Sequence, residues 1–177
     1  MNQVCEIAQL GAKVLRQVSE TVASVDSPET RRIIEDMKST LAKSEGVGLA
    51  APQISRPVRI IIVASRPTVR YPKAPLMDPT VMINPSFEPL SPVKEKDWEG
   101  CLSIPGVRAL VPRFKVIKVS YTDEDGNFIE HIFEDFIARV FQHEADHLEG
   151  KVYLDSIESS VDIISESEYF KLFTRNN

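Results

Sequence analysis

From Ser27 to Gly46 the apolar residues Ile33, Ile34, Met37 and Leu41 recur at intervals of one, three and four, which is the spacing of one helical face. Ser27 reads as the N-cap, Pro28 as the first helical residue and Gly46 as the stop. The pattern then shortens to strand-length runs: VRIIIV (58–63), VMIN (81–84), VRALVP (107–112), and FKVIKVSY and FIEHIF on either side of TDEDGN. The last two predict an antiparallel hairpin. Residues 65–92 carry Pro67, Pro72, Pro75, Pro79, Pro85, Pro89 and Pro92, which predicts a surface loop interrupted by one strand. A second helix is predicted from about Asp135 to Glu149, with Ile137, Val140, Phe141 and Leu148 as its stripe and Gly150 as its end. Strands in the middle and helices towards both ends give an α+β fold, with mixed, mainly antiparallel strands packed around this second, central helix.

Composition narrows the picture. A chain of 177 residues with 42% hydrophobic residues suits one core and one domain spanning 1–177, with about 156–177 as a short polar C-terminal tail. The net charge of −5 is spread without a basic stripe, so no direct nucleic-acid binding is expected. The first residues, MNQVCEIAQLGAKVL, match neither a signal nor a transit peptide. No run approaches the roughly 18 apolar residues of a membrane span, and a cytoplasmic protein is expected. Two cysteines far apart, Cys5 and Cys101, form no disulfide framework and leave a thiolate available for chemistry.

The chemistry is concentrated in QHEADHLEG, residues 142–150. On a helix His143 and His147 project from one face and can share a metal ion, with Glu144 beside it to handle a proton. A tetrahedral catalytic site needs a third protein ligand and one open position. Tyr153 stands where the HExxHxxGxxH class would have its third histidine. Glu158, Glu166 and Glu168 lie in the polar tail, and His131 falls in a strand of the hairpin. Cys101, in WEGCLSIPG, is the better candidate: Gly100 permits close backbone approach, and Leu102 and Ile104 suggest a half-buried strand or turn. The alternative is a free cysteine serving as a small core hydrophobe.

Together, GVGLAAPQ (46–53), EGCLS (99–103) and QHEADH (142–147) resemble the three signature motifs of the peptide deformylases, in the same order. The resemblance spans about Gly46 to Asp155. It implies a metal held by Cys101, His143 and His147, with water in the fourth position; Fe²⁺ is the physiological ion of many members, and Zn²⁺, Ni²⁺ or Co²⁺ can substitute. It implies hydrolysis of the N-formyl group from the initiator methionine of new polypeptides, releasing formate. Glu144 would act as general base and acid, with the Gln53 amide and the Leu102 backbone N–H donating to the oxyanion. Gly46 and Gly48 would let the backbone approach substrate, Val47 and Val140 with Leu102 would line a pocket for the methionine side chain, and Arg108 would lie near the bound peptide. Glu99, Arg113 and Asp146 would orient the ligands. The implied partners are N-formylmethionyl nascent peptides, met by a monomer. Some relatives end in a basic helix for ribosome docking; this acidic tail predicts only transient ribosome contact. Two rivals are a peptidase with the same HExxH motif and a non-catalytic, redox-sensing metal module. Gln53 and the glycine-rich first motif weigh against both.

Overall fold

The computed structural model describes residues 3–68 and 71–174. The first helix, α1 (Pro28–Ala42), begins as expected: Ser27 Oγ accepts from the Thr30 N–H at 3.0 Å. It ends four residues before Gly46. Ser44 closes it instead, donating its hydroxyl to the Leu41 carbonyl at 2.9 Å and accepting from the Gly46 N–H at 3.1 Å.

The strands are β1 (Gly48–Ala50), β2 (Ile60–Ser65), β3 (Met77–Pro89), β4 (Lys94–Cys101), β5 (Ile104–Phe114), β6 (Val116–Thr122), β7 (Phe128–Glu134) and β8 (Ile163–Ser165). They form two sheets, ordered β1-β2-β3-β6-β7 and β4-β5-β8, and every pairing of these strands is antiparallel. Helix α2 (Asp135–Leu148) follows β7, and α3 (Glu166–Thr174) follows β8. The fold is α+β with antiparallel sheets.

The all-buried run of β2 shows how the core is divided. Ile60 and Ile62 point to one face, where they pack with Ile33, Ile34, Met37 and Leu41 of α1. Ile61 and Val63 point to the other, where they meet Val140, Phe141 and Leu148 of α2. Alternation along a strand thus places the first sheet between the two helices, so β2 reads as a continuous apolar run. Each fully buried aliphatic side chain contributes about 1.5–3 kcal/mol. A third cluster joins Ala109 and Val111 of β5 to Val152 and Tyr153, and Cys101 packs at its edge.

Two expectations are corrected, and one strand, β4, falls largely where no element was predicted. The proline-rich stretch 65–92 holds a 13-residue strand, β3; its register shifts between Ile83 and Ser86, where Asn84 has φ 50° and Pro85 follows, so a bulge accommodates the missing N–H. β4 has no apolar alternation and arises through its pairing with β5. The tail from about 156 is ordered where described: β8 pairs with Val107–Ala109 of β5, and α3 buries Tyr169. Its last residues, 175–177, lie outside the described residues. Among those described, no helix is long and apolar enough to cross a membrane.

Gly150 follows α2 at φ +68°, and a Cβ there would sit 2.8 Å from the Arg16 carbonyl carbon. Gly150→Ala is therefore expected to destabilise the fold by about 1–3 kcal/mol in urea unfolding. Gly126→Ala, at φ +85° but with open space around it, meets only the backbone penalty and should lose less. Equal losses would show that the Arg16 contact does not matter.

Candidate metal centre

Helix α2 is fastened to both edges of its surroundings before it presents any chemistry. The chain enters it at Asp135, with φ 48° and its N–H donating to the Lys115 carbonyl at 2.8 Å. Gln142 Oε1 accepts from the Phe114 N–H at 3.0 Å, and its Nε2 donates to the Phe114 carbonyl at 2.9 Å. Arg139 donates to the carbonyls of Val111 at 2.7 Å and Glu95 at 2.6 Å. These bonds fix the helix against β4 and β5. His143 and His147, one turn apart and both buried, then face Cys101 at the end of β4. A two-residue turn, Leu102 and Ser103, separates Cys101 from its β5 partner Ile104.

The ligating atoms of Cys101, His143 and His147 all lie within 4.8 Å of one another, and Cys101 Sγ is 3.3 Å from His147 Nε2. Behind His143 stands Glu99. Its Oε1 accepts from Arg113 Nε at 2.8 Å and Arg139 Nη1 at 2.9 Å; its Oε2 accepts from Arg113 Nη2 at 3.1 Å and lies 2.9 Å from His143 Nδ1. All four acceptor positions of the carboxylate are filled. Asp146 closes the network on Arg113 at 2.6 Å.

Burial alone would push the Glu99 carboxyl up, but the Arg113 guanidinium and the His143 and Arg113 hydrogen bonds hold it far below the usual carboxylate range. An ionised Glu99 accepts only, so Nδ1 of His143 carries the proton and Nε2 is the nitrogen left for a ligand. Burial would also raise the Cys101 thiol, yet the His147 and His143 imidazoles hold it well below its ordinary value. A thiolate, two imidazoles and the buried, unpartnered Oε2 of Glu144 converge in one place. That donor set fits a divalent transition-metal ion with an open position beside a proton acceptor.

Glu144 lies against the first motif: a Cβ on Gly48 would be 2.8 Å from its Cδ. Burial pushes its carboxyl up to about 7, against the lowering influence of His143 and His147. Gln53 is held by both ends of its amide. Oε1 accepts from the Ala50 N–H at 2.9 Å, and Nε2 donates to Ser103 Oγ at 3.1 Å and points to Cys101 Sγ at 3.5 Å. An N-terminal strap braces both loops: Ala8 N–H donates to the Gln53 carbonyl at 2.8 Å, Leu10 N–H to that of Ser103 at 2.9 Å, and Gln9 Nε2 to that of Leu102 at 3.2 Å.

The open cleft above brings together Gly46, Val47, Gly48, Gln53, Cys101, Leu102, Arg108, Val140, His143 and Glu144. His147 lies beneath it, fully buried. The rival ligands are elsewhere: His131 packs on Phe133 in β7, Glu158 pairs with Lys96, and Glu166 lies 3.7 Å from Arg108 Nη2. Glu168 pairs with Lys171, and Cys5 packs in the α1 cluster. Sequence reasoning missed Arg139, Ser103 and Tyr71. Arg139 sits one turn before His143 on α2, a spacing that could have flagged it.

Glu99→Gln would set an amide N–H₂ against two guanidinium groups. It is expected to weaken metal binding about 10- to 100-fold in competition with a chelator, and to lower stability by about 3–5 kcal/mol. Unchanged metal affinity would show that His143 is oriented without Glu99.

The sequence profile of the polypeptide deformylase family matches residues 4–162. Among curated proteins, peptide deformylase 2 of Nostoc sp. is 47% identical over 174 residues, covering 98% of this chain and 97% of the relative. Peptide deformylase 1 of Bordetella pertussis is 47% identical over 147 residues, covering 83% and 84%. Among solved structures, the class I type b peptide deformylase of Acinetobacter baumannii bound to Met-Ala-Ser aligns with a TM-score of 0.85 at 38% identity, over 89% of this chain and all of that one. The Thermotoga maritima enzyme aligns at 0.78 with 35% identity, again over 89% and 100%. By near-complete coverage at this identity, and with the Cys, His and His donors brought together, this chain belongs to the polypeptide deformylase family.

Proposed function

We propose that the chain is a peptide deformylase, a metallohydrolase that removes the N-formyl group from the initiator methionine of newly made polypeptides and releases formate. The observation that carries this reading is the convergence of the Glu144 carboxyl and the pinned Gln53 amide on the Cys101, His143 and His147 donors. In this reading residues 1–177 form one catalytic domain, strands pack around α2 as the central metal-binding helix, and the protein acts as a cytoplasmic monomer with transient ribosome contact.

Cys101, His143 and His147 would hold a divalent ion, which would supply Lewis acidity and lower the pKa of a water towards neutrality. Fe²⁺ is the physiological ion by resemblance to the family, and Zn²⁺, Ni²⁺ or Co²⁺ would suit the same thiolate and imidazoles. Glu144 Oε2, buried without a partner, takes the proton of the attacking water. With its carboxyl near 7 through burial, it can also give that proton up. As the water oxygen bonds to the formyl carbon, the carbonyl oxygen gains charge. Gln53 Nε2 has one hydrogen on Ser103 and the other directed towards Cys101 Sγ, so the amide already faces the site and a small shift of the second hydrogen from the sulfur lets it donate to that oxygen, together with the Leu102 backbone N–H. The C–N bond then breaks, Glu144 delivers the proton to the leaving amine, and formate departs. Val47, Val140 and Leu102 offer the methionine side chain an apolar wall, and Gly46 and Gly48 keep the approach to it narrow.

Protein loaded anaerobically with Fe²⁺ is expected to release formate from formyl-Met-Ala and to leave acetyl-Met-Ala and internal amides intact. Glu144→Gln should lower kcat by about 10²–10⁴ while retaining bound metal. No release by folded, metal-loaded wild type would reject the reading. Gln53→Ala should cost about 10²–10³ in kcat. Ser103→Ala, which frees one end of the Gln53 amide, should lower kcat less and leave KM unchanged; an unaltered kcat would remove Ser103 from this account.

A further inference from the structure

One residue of the cleft lining, Arg108, is packed against the C-terminal segment. Arg108 of β5 is only 2% exposed, and its guanidinium lies so close to Gly100 that a Cβ there would be 2.5 Å from Arg108 Cζ. Nη1 donates to Tyr71 Oη at 3.1 Å. The Tyr169 ring of α3 has its centroid 5.2 Å from Cζ, and Glu166 Oε1 is 3.7 Å from Nη2, beyond hydrogen-bond reach. Nε is buried without a hydrogen-bond partner.

The sequence register accounts for this arrangement. Ile164 of β8 pairs with Arg108 itself, so the segment is laid along β5 at the residue whose side chain forms the wall. α3 then turns back, and Tyr169, 2% exposed, packs edge-on against Trp98 at 5.7 Å. Its ring is thereby fixed beside the guanidinium, where a desolvated cation on an aromatic face is well held. Arg108 is part of the cleft lining, and its planar guanidinium carries donors suited to a main-chain carbonyl of an extended peptide. Tyr71, its ring tilted against Phe136 with centroids 4.8 Å apart, borders the same space. The first substrate residue is handled on the Val47 and Val140 side, so Arg108 bears on the residues that follow it.

We propose that β8 and α3 belong to the substrate-binding apparatus: Tyr169 is a positioning residue that holds Arg108 at the cleft wall and so sets the affinity for peptides extended beyond two residues. This inference rests on the deformylase reading above. It gives the C-terminal segment a part in binding through packing within the chain, independent of any ribosome contact.

The test is steady-state deformylation of formyl-Met-Ala and formyl-Met-Ala-Ser by the metal-loaded enzyme and its Tyr169→Leu, Tyr169→Phe and Glu166→Gln variants. Tyr169→Leu is expected to raise KM for the tripeptide about tenfold with kcat and the dipeptide KM unchanged, and Tyr169→Phe, which keeps the ring, should restore the wild-type value. A KM rise shared equally by both peptides, a fall in kcat, or no change would overturn the inference. Should Tyr169→Leu fail to fold, Glu166→Gln decides: a rise of about two- to threefold confined to the tripeptide supports it, and no rise overturns it. Wild type inactive on both peptides overturns the deformylase reading and this inference with it. Wild type active on both, with variants blind to peptide length, overturns this inference alone.

Discussion

A single buried carboxylate holds the two halves of the molecule in register. Glu99 receives Arg113 from β5, Arg139 and His143 from α2, and is itself on β4. An ion pair so deep gains little net stability over an apolar pair, because both charges are desolvated. What it provides is geometry. With every acceptor position filled, the carboxylate cannot rotate, and the imidazole it faces has one permitted tautomer. The nitrogen needed for a ligand is thereby exposed before any ion arrives. His147 has no comparable support: its Nδ1 is buried without a partner. The orientation of the pair therefore depends on one side.

Charge explains why the same place suits a cation. Cys101 is held towards thiolate, Glu99 is ionised, and burial, together with the charges of Cys101 and Glu99, pushes the Glu144 carboxyl up to about 7. Two arginines balance Glu99 on its far side, so the excess of donors faces the cleft. The N-terminal strap completes the mechanical frame from the opposite direction. Its bonds to the carbonyls of Gln53, Leu102 and Ser103 join two loops that are distant in sequence and must present their donors to one atom. Preorganisation of this kind is what allows fixed dipoles to act on a developing charge without paying reorganisation at the moment of reaction.

What could be read from the sequence follows from how local each signal is. The stripe of α1, the TDEDGN hairpin and the four-residue spacing of His143 and His147 are local, and the structure has all three. β4 was not legible because KEKDWEGC owes its conformation to backbone bonds with β5, which leave no apolar rhythm. β3 was legible only at VMIN; its extension to thirteen residues was hidden by its prolines, which a bulge accommodates. The C-terminal strand and helix were hidden by acidic residues around a few apolar anchors, Ile163, Ile164 and Tyr169, whose partner strand lies more than fifty positions earlier. In the site, chemistry made Cys101 the leading candidate for the third ligand, and its convergence with the two histidines followed from the resemblance of the three motifs to the family. The roles of Ser103, Arg139 and Tyr71 could not, because each bonds to atoms brought near only by the fold.

Two glycines show how tightly the cleft is drawn. Gly48 has the Glu144 carboxylate against it, and Gly100 has the Arg108 guanidinium. A side chain at either would displace a charged group from the space it occupies, so each glycine sets the distance between a strand backbone and a functional side chain. One keeps the proton acceptor close to the first motif, and the other lets a guanidinium approach the second motif. At Gly48 and Gly100 the glycine that marks the motif in sequence is therefore a steric requirement of the side chain packed against it.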